Sequence, residues 1–279
     1  MISVILLVYN GEAYLRQCLD SVTKQSIGME NIELIAFNDV STDSSREILE
    51  EYRQQWPDNI RIVDKEVNSV SAGESNRNLG VEMAAGDYIL FLDQDDWYRQ
   101  DAFEQLEQWM NQNVELDFIE YGFNYTDIDG NIFKEQHVQE KGFHIYQVND
   151  EEQRIDLAKR GLLPSATFVW SKIYRKSFLQ KHCLKENGMS FADNFFSGLV
   201  NLYCTVFAKC DELFYYYRNY VGSGSHKKKL NDSTTFKRCK IGLAFYEECT
   251  QRNLLNRQQQ FIEFVFTNTY FIKPFWRLL

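Results

Sequence analysis

No apolar run in the 279-residue sequence approaches the length of a membrane-spanning helix. The opening Met1-Ile2-Ser3-Val4-Ile5-Leu6-Leu7-Val8 carries no positive leading segment and runs straight into Tyr9-Asn10-Gly11, so it reads as a strand rather than a signal peptide. There is no C-x-x-C pair among the cysteines at 18, 183, 204, 210, 239 and 249, and most of them fall inside apolar periodic segments. That spacing favours free, core-filling thiols over a disulfide framework or a zinc site, and with them a cytoplasmic setting. A positive surplus is absent too. The 30 Lys+Arg against 40 Asp+Glu leave a formal net charge of −10, which argues against a general nucleic-acid binder, because such a protein presents a basic face to the phosphates. Neither an internal repeat nor a low-complexity tract is visible. What is there, 44% hydrophobic and 25% charged residues, is the composition of a folded chain long enough to bury a substantial core.

The chain is organised around Tyr88-Ile89-Leu90-Phe91-Leu92-Asp93-Gln94-Asp95-Asp96-Trp97, an apolar run that stops at three carboxylates. It fits a parallel-sheet strand, covered on both faces, that delivers Asp93, Asp95 and Asp96 to its carboxyl end. Ligands of open α/β sheets bind outside that edge, and clustered carboxylates repel one another unless a cation joins them. A hard ion, Mg2+ or Mn2+, suits such an all-oxygen set, whereas capping of the next helix is the alternative role for the same acids. Residues 2–8, 32–37 and 60–63 read as earlier strands. Helices follow them at Tyr14, Leu15, Cys18, Leu19 and Val22, at Ile48, Leu49, Tyr52 and Trp56, and over 71–85. This alternation predicts an α/β fold with right-handed crossovers and a mostly parallel sheet flanked by helices. Beyond it, Phe103, Leu106, Trp109 and Met110 mark a helix, 117–126 an aromatic-rich strand and 127–131 a hairpin turn. From 132 to 164 the signal is weak apart from a helix at 150–161. Then come the segment Trp170–Arg175, a helix near 192–207, a strand at 212–218, a basic loop at 222–229 and two helices within 232–279.

Four segments converge on the acidic edge: Val8-Tyr9-Asn10, Asn38-Asp39, Asn76-Arg77-Asn78 and Asp93-Gln94-Asp95. Together they offer acceptors for a base and ribose, a cation for phosphate and carboxylates for a metal, a set suited to a nucleoside diphosphate. In order and spacing they resemble the family 2 glycosyltransferases of GT-A (Rossmann-like) fold, inverting enzymes that use nucleotide-diphosphate sugars, most closely over the first 125 residues. The family's V-Y-N turn, D-D-G-S-T-D loop, R-N-x-G segment and F-L-D-x-D-D segment stand here as Val8-Tyr9-Asn10, Asn38-Asp39-Val40-Ser41-Thr42-Asp43, Arg77-Asn78-Leu79-Gly80 and Phe91-Leu92-Asp93-Gln94-Asp95-Asp96. The resemblance implies a nucleotide-sugar site of Val8, Tyr9, Asn10, Asp39, Arg77, Asp93 and Gln94. Within it, Asp39 would face the uracil ring, Arg77 the base or diphosphate, and Asp93 the ribose or metal, with Asp95 as the metal ligand. Two residues depart from the pattern. Asn38 replaces an acid and removes a charge beside the nucleotide, and Val40 replaces a glycine, which restricts the loop to conformations a β-branched residue tolerates.

The second half resembles the family less closely. Trp170-Ser171-Lys172-Ile173-Tyr174-Arg175 is similar to a W-x-K-L-Y-R segment that frames the acceptor side. The family's E-D pair stands here as Ala192-Asp193, which leaves Asp193 as the candidate general base, or else as an ordinary helix N-cap. His226 is a candidate metal ligand beside Lys227-Lys228-Lys229, with a solvated loop histidine and a solvated or membrane-facing lysine run as the alternatives. His137, His144 and His182 show no ligand spacing. The 16 tyrosines and 21 phenylalanines could line a sugar site in part, but core packing accounts for most of them. Residues 270–277 read as a membrane-surface contact, a contact to a second copy in a homo-oligomer, or plain terminal helix packing.

The implied organisation is a nucleotide-sugar-binding half at 1–126, an acceptor-binding half of the same GT-A domain at 127–230 and a helical extension at 231–279. The implied activity is a metal-dependent, hexosyltransferase-type transfer from a UDP-sugar to a hydroxyl of a glycan or lipid-linked acceptor in cell-surface polysaccharide synthesis. It would take place in the cytoplasm or at the inner face of the membrane. The alternatives are a non-catalytic nucleotide-sugar-binding protein and a nucleotidyltransferase of related fold.

Overall fold

The computed structural model describes residues 1–68, 74–138, 141–164, 168–189, 191–219 and 232–265. Its first part is built as the periodicity predicts. Strands β1 (Ile2–Val8), β2 (Ile32–Asn38), β3 (Ile60–Asp64) and β4 (Tyr88–Asp93) lie parallel in the order β3-β2-β1-β4. Helices α1 (Leu15–Thr23), α2 (Ser45–Gln55) and α3 (Glu74–Met83) make the crossovers. β1 and β4 are apolar on both faces because both faces are covered, and Val4, Ile5, Leu6, Leu90 and Phe91 are all buried. α1 buries Leu15, Cys18, Leu19 and Val22, one stripe at helical spacing, and α2 does the same with Ile48, Leu49 and Tyr52.

Beyond β4 the sheet continues but becomes mixed. Strand β5 (Trp97–Tyr98) and helix α4 (Ala102–Gln112) lead into β6 (Phe118–Thr126). The turn at Asp127–Asn131, closed by hydrogen bonds from the Asp129 and Asn131 N–H groups to Asp127 Oδ1, returns the chain as β7 (Ile132–Gln136). β8 (Phe143–Gln147), α5 (Glu151–Lys159), β9 (Lys172–Arg175), α6 (Lys176–Lys181), α7 (Ala192–Tyr203), β10 (Val206–Arg218), α8 (Asp232–Gln251) and α9 (Leu255–Val265) follow. The strand order is β3-β2-β1-β4-β9-β6-β10-β5, with β7 on β6 and β8 on β10. β9 is antiparallel to both β4 and β6 and so joins the parallel half to the rest, and β10 runs parallel to β6.

Several boundaries differ from the sequence reading. The strand expected at 212–218 begins at Val206, and the helix expected to reach 207 stops at Tyr203. Cys204 leaves helical geometry, and the Asp117 carboxylate takes the Thr205 and Val206 N–H groups and turns the chain into β10. β7 and β8 fall in the weakly patterned region because β7 is exposed along most of its length, with Ile132 and Phe133 open to solvent, so no alternation marks it. Cys18, Cys204, Cys210 and Cys249 are buried free thiols, while Cys183 is exposed. Tyr121, Tyr174, Tyr215, Phe103, Phe118 and Phe207 are fully buried, which makes them core rather than a sugar wall. No helix among the described residues is long and apolar enough to cross a membrane. The 222–229 loop with His226 and the 270–277 segment lie outside the described residues.

Candidate active site

The carboxyl ends of β1, β2 and β4 meet in a laced set of loops. Gln94 accepts from the Tyr9 N–H at 2.7 Å and donates to the Tyr9 carbonyl at 2.9 Å, so its amide holds the β1 loop against the β4 loop. Asn10 sits in the left-handed region at φ 50. Its side-chain oxygen accepts from Thr42 N at 2.8 Å, while the Asn10, Gly11 and Glu12 N–H groups donate to Ser41, Ser45 and Asp43. Val8 is buried, and only its backbone carbonyl reaches the edge, where it accepts from Asp39 N at 2.8 Å. Val8 and Gln94 thus hold together the loops that carry Tyr9 and Asp39. Asp39 is buried under the edge, and its backbone carbonyl accepts from Asn68 Nδ2.

Both departures from the family pattern have visible consequences. Asn38 donates to Asp64 Oδ1 at 2.8 Å and accepts from Ser41 N, so an acid at this position would face the Asp64 carboxylate. Val40 was expected to restrict its loop, yet the backbone keeps the left-handed conformation a glycine would favour, at φ 62. The laced hydrogen bonds around it over-determine the turn and hold a β-branched residue where it is strained.

The three acids after β4 divide by role. Asp96 is buried, accepting from Tyr215 Oη at 2.8 Å and from Arg218 N at 2.7 Å. Burial, with Asp95 and Asp93 nearby, pushes its carboxyl well above the usual range. Its contacts are structural, tying β4 to β10. Arg218 continues the tie with Nε on the Asp95 carbonyl at 2.9 Å and its guanidinium stacked between Tyr14 and Trp97. Asp95 has its carboxyl pushed up to about 6 by burial first and by the Asp93 charge second. A cation between Asp93 and Asp95 would relieve both costs. Among the described residues no group of three or more His, Cys, Asp or Glu side chains is arranged to hold a metal ion. Two carboxylates fit Mg2+ or Mn2+ nonetheless, since such ions keep several waters and take substrate phosphate oxygens rather than an all-protein cage.

Arg77 joins this edge to the second half of the chain. It is buried on α3, with one terminal nitrogen 3.0 Å from Asp93 Oδ1 and the other 3.0 Å from Asp193 Oδ1 and 3.1 Å from Glu186 Oε1. Asp193 lies in the first turn of α7, but it is not the N-cap. Phe191 occupies that position at φ 68 with no side-chain cap, and the Asp193 carboxylate turns to Arg77 instead. Burial pushes the Asp193 carboxyl up, Arg77 pulls it back and Asp93 adds to the rise. Glu186 was missed by sequence reasoning, and so was the grip of Asn78, which exchanges two 2.8 Å hydrogen bonds with the Glu186 backbone. No spacing signal links 78 to 186. The one hint was an acid in the segment that precedes Ala192, where the family's glutamate is missing. On the far side of β9, Lys172 and Lys209 flank Glu120 at 3.4 and 3.3 Å, beside a cavity of about 400 Å³ lined by Glu120, Lys209, Phe123, Phe168 and Ser171.

A parallel α/β half ending in paired carboxylates, joined through an arginine to a carboxylate on a helix of a mixed second half, is the layout that the resemblance to GT-A glycosyltransferases implies. The chain belongs to glycosyl transferase family 2, whose model matches residues 3–181. Among similar proteins, a putative glycosyltransferase EpsH of Bacillus subtilis is 31% identical over 88% of this chain and 67% of its own length. The minor teichoic acid biosynthesis protein GgaB of the same organism is 42% identical over 42% of this chain and only 13% of its own. The chain therefore spans two thirds of one curated relative and a small part of another. Among solved structures, S. aureus TarS 1-349 in complex with UDP-GlcNAc has a TM-score of 0.69 at 22% identity, covering 87% of this chain and 65% of that one. Mannosyltransferase PcManGT from Pyrobaculum calidifontis, in complex with GDP-Man and Mn2+, has a TM-score of 0.57 at 11% identity and covers 90% of this chain and 64% of that one. At these identities both carry the fold alone.

Proposed function

We propose that this glycosyltransferase moves a sugar from a UDP-sugar, with inversion, to a hydroxyl of a glycan or lipid-linked acceptor in cell-surface polysaccharide synthesis. The observation that carries the reading is the Arg77 guanidinium, which touches Asp93 on the donor side and Asp193 on the acceptor side within 3.0 Å of each. Asp193 takes the proton of the acceptor hydroxyl as its oxygen attacks the anomeric carbon from the face opposite the diphosphate. A new C–O bond forms, the bond to the diphosphate breaks, and UDP carries away the electron pair. Arg77 offsets the negative charge that gathers between the two sides. Asp95 and Asp93 would hold Mn2+ or Mg2+, which neutralises the diphosphate when bound, with His226 as a further candidate ligand. Asp39 and the Tyr9-Asn10 turn receive the uridine. The crystallised UDP-GlcNAc complex of TarS and the teichoic acid role named for GgaB support the UDP donor and the surface-polymer setting. One observation weighs against a nucleotidyltransferase: the Tyr9, Asn10, Gly11 and Glu12 N–H groups all donate to side chains, so the first loop has no row of amides to cradle a triphosphate.

Release of UDP from a panel of nucleotide sugars with Mn2+ tests the proposal. Asp95→Ala is expected to lose metal-dependent donor binding, and Asp193→Asn to keep UDP binding while transfer falls at least about a hundredfold, the scale of lost general-base catalysis. No UDP release from any donor, with or without acceptors, would overturn the reading. UDP binding without turnover would leave a nucleotide-sugar-binding protein.

A further inference from the structure

We infer that Glu186 is a positioning residue for the transfer reaction, fixing the Arg77 guanidinium where it reaches Asp93 and Asp193 together. The inference rests on the glycosyl-transfer reading of the site. Three carboxylates share this guanidinium, and they differ in exposure. The Asp93 and Asp193 side chains are 33% and 32% exposed, whereas that of Glu186 is 3% exposed. The first two are open to solvent, and in the proposed reaction one serves the donor and the other the acceptor. They cannot also serve as fixed supports for the cation between them. Glu186 is placed to do so, because a buried anion in a low-dielectric surround holds a cation against competition from water.

Its own position is secured independently of Arg77. Asn78 Nδ2 donates to the Glu186 carbonyl and Glu186 N donates to Asn78 Oδ1, both at 2.8 Å, and the neighbouring Lys185 pairs with Glu82 at 2.5 Å. Residues 77 and 78 of α3 thus grip one residue of the α6–α7 connection twice, Arg77 by the side chain and Asn78 by the backbone. This gives the connection a defined place against the donor half, and α7, which carries Asp193, starts six residues further on.

Glu186→Gln keeps the shape and removes the charge. In the full chain with Mn2+ and the UDP-sugar that wild type turns over, it is expected to bind UDP within about threefold of wild type and to leave KM similar. The turnover number should fall about tenfold or more, as expected when support behind a reacting constellation is lost. Asn78→Ser, which loosens the backbone grip and leaves every charge in place, is expected to lower turnover by about threefold, again with KM held. It serves as the deciding variant if Glu186→Gln does not fold. Turnover within twofold of wild type in the folded variant, or equal losses in UDP affinity and turnover, would overturn the assignment. Failure of wild type to release UDP from any donor would instead bring down the glycosyl-transfer reading, and this inference with it.

Discussion

At the scale of single residues, the acids and Arg77 were legible because their chemistry is local: a strand that ends in carboxylates and a cation in the first turn of a helix can be read from neighbours in sequence. Val40 shows the limit of such reading. A β-branched residue argues against a left-handed backbone, yet the hydrogen bonds of Asn10, Ser41 and Asn38 hold it at φ 62. Because Val40 is exposed, a glycine there loses little buried surface. Val40→Gly is expected to gain about 1 kcal/mol in urea unfolding, the steric cost of the left-handed region less the entropy a glycine adds to the unfolded chain. Unchanged or lower stability would show that the strain is absent. Asn38 is the opposite case, a departure whose reason is entirely tertiary, because Asp64 arrives from β3 to accept its amide.

At the scale of elements, periodicity found the helices that bury one stripe and the strands buried on both faces, and it failed where elements are exposed or held by single long-range bonds. Gly80 illustrates how tightly α3 must sit. A Cβ at this position would lie 2.6 Å from Ile5 Cγ2 on β1, so the glycine of the R-N-x-G segment is there for helix-to-sheet approach. Gly80→Ala is expected to destabilise by about 1–3 kcal/mol, as overpacking does. A urea midpoint equal to wild type would contradict this packing role. Helix α7 ends under similar control: Arg154 of α5 donates to the Asn201 and Cys204 carbonyls and closes the helix where the apolar pattern alone would have let it run on.

At the scale of the whole molecule, the site is an electrostatic arrangement that no single element contains. Asp93, Asp95 and Asp96 come from the end of β4, Asp193 from α7 and Glu186 from the segment before it, and Arg77 and Arg218 arrive from α3 and β10 to hold them together. Burial first and the Asp93 charge second raise the Asp95 carboxyl to about 6, with a direct consequence for pH dependence. The group is ionised above that value and neutral below it, and a neutral carboxyl does not ligate a cation. Metal-dependent UDP affinity is therefore expected to hold at pH 7.5 and to fall by up to about tenfold per unit below pH 6, one proton competing with one ion. Calorimetric titration with UDP and Mn2+ at pH 7.5 and 5 checks this, with Asp95→Ala expected to give a flat profile. Affinity that does not change between those pH values would remove Asp95 from the metal site.

By itself the sequence determined the parallel α/β half, the order of its strands' functional ends and the residues that meet there, since alternating buried strands and amphipathic helices leave few ways to pack and place their loops on one edge. Only the tertiary structure decided that Asp193 turns to Arg77 rather than capping α7, that Asp96 serves the fold and that Glu186 stands behind the arginine. Those assignments depend on which charges share a cation and how far each is removed from water, and residues more than a hundred positions apart acquire that relation only when the chain has folded.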